Sequence, residues 1–210
     1  MKIALLGAEG KIGSHVLELA LQNGHDVVAY VKHSSDVTIS HPHLTTLEGA
    51  LTNIPKLGAA IKDADAVVST LETPHTRNYE GMPLYYVHKA IISIMRWNNI
   101  KRFITIATPG MRFNKDKISF ATVIPKIKEW LLFPKAYKEE FEVGKVMQRA
   151  TVDWTVVRVI APVDANTKPA KVTFGDTPVS FSISRRQIAK FILNELQQGK
   201  YIKSMPIIGS

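Results

Sequence analysis

Gly7, Gly10 and Gly13 stand three apart, between an apolar run over residues 2–6 and a segment of helical periodicity. Glycines so placed allow a tight turn, let backbone approach a ligand closely, and let the following helix pack against a sheet. The start of that helix presents unpaired N–H groups and the positive end of a dipole. A strand–glycine–helix turn of this kind is a cradle for the pyrophosphate of a dinucleotide. Gly7, Glu9, Gly10, Lys11, Ile12 and Gly13 are therefore read as the cofactor-binding loop. Glu9 is the odd member, because its carboxylate repels phosphate unless it turns outward or Lys11 offsets it.

The end of the second strand decides between the two nicotinamide dinucleotides. A carboxylate there holds the ribose hydroxyls of NAD. This chain instead has Lys32-His33-Ser34-Ser35, with no acid before Asp36. A cation with neighbouring hydroxyls suits a 2′-phosphate. Lys32 is thus the expected phosphate contact, assisted by His33, Ser34 or Ser35, and NADP (as NADPH) is the preferred cofactor with NAD possible. Two further residues carry potential chemistry. Thr108 follows the fifth predicted strand and can hydrogen-bond a nicotinamide or a substrate. His75, in the loop after the fourth, can donate a proton or orient an acceptor. No metal site is expected, since His41 and His43 lack an evident third ligand.

The elements that must position these groups follow from periodicity. Strands are predicted over residues 2–6, 26–31, 44–48, 66–70, 102–107 and 153–160, with a short one at 171–174 and a last one at 202–208 interrupted by Pro206. Helices are predicted over residues 11–22, 54–61, 84–97 and 137–149, and from a Ser184 cap through Leu196 to a stop at Gly199. Residues 118–132 read as partly helical, with Pro125 at a start or kink. The stretch from Phe120 to Leu132, with Trp130, reads as a lid, a dimer contact or core, packing being the default. The alternation of strand and helix gives an α/β fold of the Rossmann type, a doubly wound and mostly parallel sheet. A single NAD(P)-binding domain over 1–210 is expected, with about 109–150 and 161–183 inserted on the substrate side.

Composition narrows the function classes. The 210 residues contain no cysteine, which excludes disulfides, zinc–thiolate sites and thiol catalysis and fits a reducing, cytoplasmic setting. The formal charge of +9 comes from basic residues spread along the chain without a tract. It is read as a field that attracts a polyanionic cofactor, with neither nucleic acid nor membrane as partner. The first residues do not read as a signal peptide, and no apolar run is long enough to span a bilayer. The expected partner is a small-molecule acceptor, and the expected state is monomer or homodimer.

Five blocks, at residues 7–13, 63–70, 101–108, 153–158 and 184–189, together resemble the atypical short-chain dehydrogenases of the NAD(P)H-binding group. That group includes the NADH-flavin reductase, biliverdin reductase B and NmrA-like proteins. The resemblance implies that Ser69, Thr70 and Leu71 line the cofactor, that Thr108 takes the place of a serine near the nicotinamide, and that Arg158 with the residues after it lies beside the cofactor. The chain departs from the group at Glu9, where threonine is usual, at Ala50, where an acid often follows the glycine, and at Val159, where proline is usual. The Tyr-x-x-x-Lys pair of typical members is absent, for Tyr137 is followed four residues later by Phe141. The resemblance therefore implies an NAD(P)H-dependent oxidoreductase delivering hydride to a flavin, quinone or similar small acceptor, which can take its proton from solvent. The alternative is a non-catalytic NAD(P)-sensing regulator of the NmrA-like kind.

Overall fold

The computed structural model describes residues 1–73 and 81–210. The apolar runs become inner strands buried on both faces: β1 (Lys2–Leu6), β2 (Asp26–Val31), β4 (Ala66–Ser69), β5 (Arg102–Ala107) and β6 (Asp153–Val159). With β3 (Leu44–Glu48), β8 (Lys171–Thr173) and β10 (Ile207–Gly209) they form one eight-stranded sheet, ordered β3-β2-β1-β4-β5-β6-β10-β8. Every pairing is parallel except β10 with β8. The winding direction reverses between β1 and β4, and a crevice opens there beyond the strands' C-terminal ends.

Alternate residues of each strand feed two separate cores. Ile3 and Leu5 pack under α1 (Gly13–Gln22) and α6 (Arg185–Gln198). Ala4 and Leu6 pack under α2 (Ile54–Ile61), α3 (Pro83–Trp97) and α5 (Pro134–Arg149). The ends of α6 follow its capping residues: Ser184 Oγ accepts from the Gln187 N–H, and Gly199 adopts a left-handed φ of 60°.

The departures have local causes. Helix α1 starts at Gly13 rather than Lys11, because the hydrogen bond from Gly10 N–H to the Gly7 carbonyl closes a turn first. The last strand shrinks from 202–208 to Ile207–Gly209, since Pro206 has no N–H to give a ladder. A parallel pair, β7 (Ala161–Val163) with β9 (Ser182–Ser184), was not anticipated, and three-residue strands are too short to show a period. Residues 120–132 form a continuous helix, α4 (Phe120–Leu132), which runs through Pro125 in its interior instead of starting there. Its apolar residues are not core: Phe120, Ile127, Trp130 and Leu131 all face solvent. Among the described residues no helix is long and apolar enough to cross a membrane.

Candidate active site

The glycine loop is shaped by contacts that permit no side chain. Gly7 adopts φ 80°, and a Cβ on Gly13 would lie 1.9 Å from the Gly7 carbonyl oxygen and 2.6 Å from Thr70 Oγ1. Thr70 explains the second contact. Its hydroxyl, 3.0 Å from both the Leu6 and Gly7 carbonyl oxygens, staples the end of β4 to the loop. Thr70 therefore holds the cradle from below and does not line it. The first turn of α1 has no side-chain cap and no acid, so its positive end is left to an anion. A dinucleotide pyrophosphate fits these features in size, sign and backbone access.

The end of β2 is more acidic than its own sequence suggests. Glu9 Oε1 accepts weakly from the Lys32 N–H at 3.4 Å, while Oε2 is buried with no hydrogen-bond partner among the described residues. Glu48, from β3, accepts from both the N–H and the hydroxyl of Ser34 at 2.8 and 2.9 Å. Those two bonds, foremost, hold the Glu48 carboxyl below the usual range. Ser34 is thus occupied, whereas the side chains of Lys32, His33 and Ser35 are exposed, as is Lys11. Tyr30 fills the space behind Gly49 and donates to the Ala50 carbonyl at 2.7 Å.

From the loop a cavity of about 390 Å³ runs across the strand ends. Ile12 and Leu71 border it on the loop side; Thr108, Met111 and Pro162 border it beyond β5 and β6; Pro125, Glu129 and Phe133 close it from α4 and its end. This is where open α/β sheets bind ligands. The lining is mostly apolar with a few convergent polar groups, as ligand sites are.

The polar groups converge on Thr108. Its hydroxyl donates to Glu140 Oε2 at 2.5 Å and accepts from the Gly110 N–H at 3.1 Å. Glu140 is only 6% exposed and comes from α5. A Cβ on Gly110 would fall 1.9 Å from Glu129 Oε2, so a larger residue there would push that flexible carboxylate aside. The neighbouring Glu139, also buried, accepts from the Tyr85 N–H at 3.1 Å, capping the first turn of α3 from outside that helix. His88 also borders the cavity. Its Nδ1 donates to the Leu84 carbonyl at 2.7 Å, which leaves Nε2 to accept from the Thr105 hydroxyl at 3.0 Å. Burial lowers its pKa to about 4, so the imidazole is neutral.

Neither Glu140 nor His88 was singled out from the sequence, yet each leaves a signal there. Ala136, Glu140, Val143 and Met147 form one helical stripe, with a carboxylate among its apolar members. His88 likewise interrupts the stripe of Leu84, Ile91 and Met95. A charged or titratable group on a core-facing stripe must be paired or functional.

Several expected site residues lie elsewhere. Arg158 is a correction: it is wholly buried, its Nε donates to the Met205 carbonyl, and its two terminal nitrogens grip Asp116 at 2.8 and 2.5 Å. With a further bond to the Met111 carbonyl, four of its five N–H groups are spent within the fold, so it ties β6 to the segment before α4. The side chain of Ser69 is also buried, within the sheet. His75 lies outside the described residues. Tyr137, which Phe141 leaves without a lysine partner, accepts from Arg112 Nε at 3.2 Å. His43 pairs with Asp26 at 2.8 Å, and among the described residues no cluster of three potential metal ligands occurs.

Residues 7–199 match a family model described as NAD(P)H-binding. Isoeugenol synthase 1 of Petunia hybrida is 33% identical over 113 residues, which are 49% of this chain and 32% of that protein. The chain thus spans well under half the length of that relative. Among solved structures, a short-chain dehydrogenase/reductase of Veillonella parvula DSM 2008 in complex with NADP superposes with a TM-score of 0.81 at 18% identity, covering 100% of this chain and 94% of that one. ChuY, an anaerobillin reductase of Escherichia coli O157:H7, superposes with a TM-score of 0.81 at 20% identity, covering 100% of this chain and 97% of that one. At these identities the two structures establish the fold.

Proposed function

Because the chain belongs to the NAD(P)H-binding family, we propose that it is an NAD(P)H-dependent reductase acting on a planar, largely apolar acceptor such as a flavin or quinone. One observation carries this reading: the apolar cavity joins the glycine loop at Ile12 to the pair of Thr108 and the buried Glu140. The reduced dinucleotide, when bound, supplies a hydride, that is, two electrons and one proton. The loop of Gly7–Gly13 and the first turn of α1 hold its pyrophosphate. Leu71 and Ile12 bear on the reacting end and exclude water. The second proton is assigned to Glu140 in its acid form: the bond between the two side chains then runs from Glu140 to the Thr108 hydroxyl, whose own proton passes to the acceptor, and Glu140 is reprotonated from solvent. Hydride and proton together complete a two-electron reduction. This route does the work of the missing tyrosine. The similarity to an anaerobillin reductase and to an NADP-bound structure supports the reading.

For the cofactor, the proposed preference is for NADPH, with NADH also used. Lys32 supplies the phosphate contact, and the nearby carboxylates of Glu9 and Glu48 keep the preference small. Calorimetric titration with NADPH and NADH, followed by cofactor oxidation with FMN, FAD and small quinones, tests both parts. Binding of both with acceptor-dependent oxidation is expected. In the Lys32→Glu variant, affinity for NADPH should fall about tenfold more than affinity for NADH. Equal losses would remove Lys32 from the phosphate site. Binding without oxidation across the panel would replace the reductase by a cofactor sensor.

A further inference from the structure

Helix α4 inverts the usual arrangement of an amphipathic helix. Ala121, Thr122 and Pro125 face inward, small groups with little apolar area to bury. Phe120, Val123, Ile124, Ile127 and Leu131, at spacings of three and four, form a stripe that faces out. Phe120 is 77% exposed, Leu131 68% and Trp130 61%, and Ile118 just before the helix is 94% exposed. A contiguous apolar patch on this scale marks an interaction surface.

Charge around the stripe selects the partner. Lys115, Lys117, Lys128 and Lys135 are exposed beside it. From residue 112 to 135, all described, the only acids are Asp116 and Glu129. Asp116 is buried against Arg158 and Lys126, and Glu129 turns inward to border the cavity. Across the fold the exposed Asp176 lies near Lys117, so the rim is predominantly cationic, with that one acid at its edge. A second copy docking on the same face about a two-fold axis would set this lysine rim against itself. An anionic lipid surface matches it, since lysines meet headgroups while the aromatic and aliphatic stripe enters the acyl boundary. Tryptophan at the edge of such a stripe is the side chain that favours that boundary.

We propose that α4 is a membrane-docking surface, which seats the protein on an anionic bilayer with Phe120, Ile127, Trp130 and Leu131 inserted. The same helix walls the cavity through Ile124, Pro125 and Glu129, so docking brings the cavity next to the lipid. An apolar acceptor dissolved in the membrane then reaches the site without crossing water. The docking itself does not depend on the reductase reading.

Flotation of the full chain with phosphatidylcholine vesicles, with and without phosphatidylglycerol, tests it. Binding to the anionic vesicles should exceed binding to the neutral ones by at least about tenfold and should weaken as salt rises. Trp130→Glu and Phe120→Glu are changes at exposed positions outside the cavity lining. Each should retain the native circular dichroism and dinucleotide affinity yet lose vesicle binding by at least about tenfold. Failure to float with either vesicle overturns the proposal. Equal binding of the variants and the parent chain overturns it too. A concentration-dependent dimer that Trp130→Glu dissolves, in a protein that binds no vesicle, would assign the stripe to a copy of the chain instead.

Discussion

The two ends of the cleft are built on different principles. At the dinucleotide end, the constraint falls on backbone: Gly7 adopts a φ of 80°, and the Gly7 carbonyl oxygen and Thr70 occupy the space of a Cβ on Gly13. At the acceptor end, it falls on side chains brought from distant elements, with Thr108 from the end of β5 meeting Glu140 from α5. The first kind of site is written in consecutive residues. The second exists only once α5 packs beside the sheet. A backbone site should fail all at once when one atom is added, whereas a side-chain site should lose rate while keeping its affinity.

The sharpest way to break that comparison is Gly13→Ala. The new Cβ would lie 1.9 Å from a backbone oxygen, which cannot swing aside as a flexible side chain would. The loop or the start of α1 must shift, and affinity for both dinucleotides should drop by at least about a hundredfold. Calorimetric titration with NADH and NADPH measures it. Undiminished affinity would mean that the cradle is not where the pyrophosphate sits.

The second test addresses the acceptor end. Glu140→Gln keeps the side chain's size and a hydrogen bond to Thr108 but removes the exchangeable acid. Under the proposed proton route, kcat should fall about ten- to a hundredfold with dinucleotide affinity unchanged. Steady-state rates with a quinone acceptor, beside a binding titration, separate the two quantities. An unchanged kcat would return proton supply to solvent.

The same contrast explains what could be read from the chain. Strands β1, β2, β3 and β5 fall on their predicted bounds, because each is an apolar or alternating run ended by polar or glycine residues. The glycine loop was legible for the same reason, since its constraint is local. Arg158 was expected beside the cofactor from the family resemblance alone, and its partner Asp116, 42 residues away in the chain, leaves no local signal of the pairing. Glu140 was not singled out because its partner Thr108 lies 32 residues away, and the two meet only once α5 packs beside the sheet. The α4 stripe has the periodicity of a core helix, and periodicity alone cannot say which way a stripe faces.

The smallest expected effect sharpens the comparison from beneath the acceptor end, where His88 is buried as a neutral group. Its folded pKa is about 4, against an ordinary value near 6.5. Between those values the unfolded chain takes up a proton that the folded chain refuses, so this residue makes stability fall as pH drops from about 6.5 toward 4 and adds no further loss below that. The expected cost is about 1 kcal/mol between pH 7.5 and 5.5. Urea denaturation of the parent chain and of His88→Gln across that range isolates it. The variant should start from a lower stability, having lost a packed imidazole, and should show a flatter decline. Parallel declines would mean that His88 is protonated in the folded state, and its bond from Thr105 would then have to be reversed.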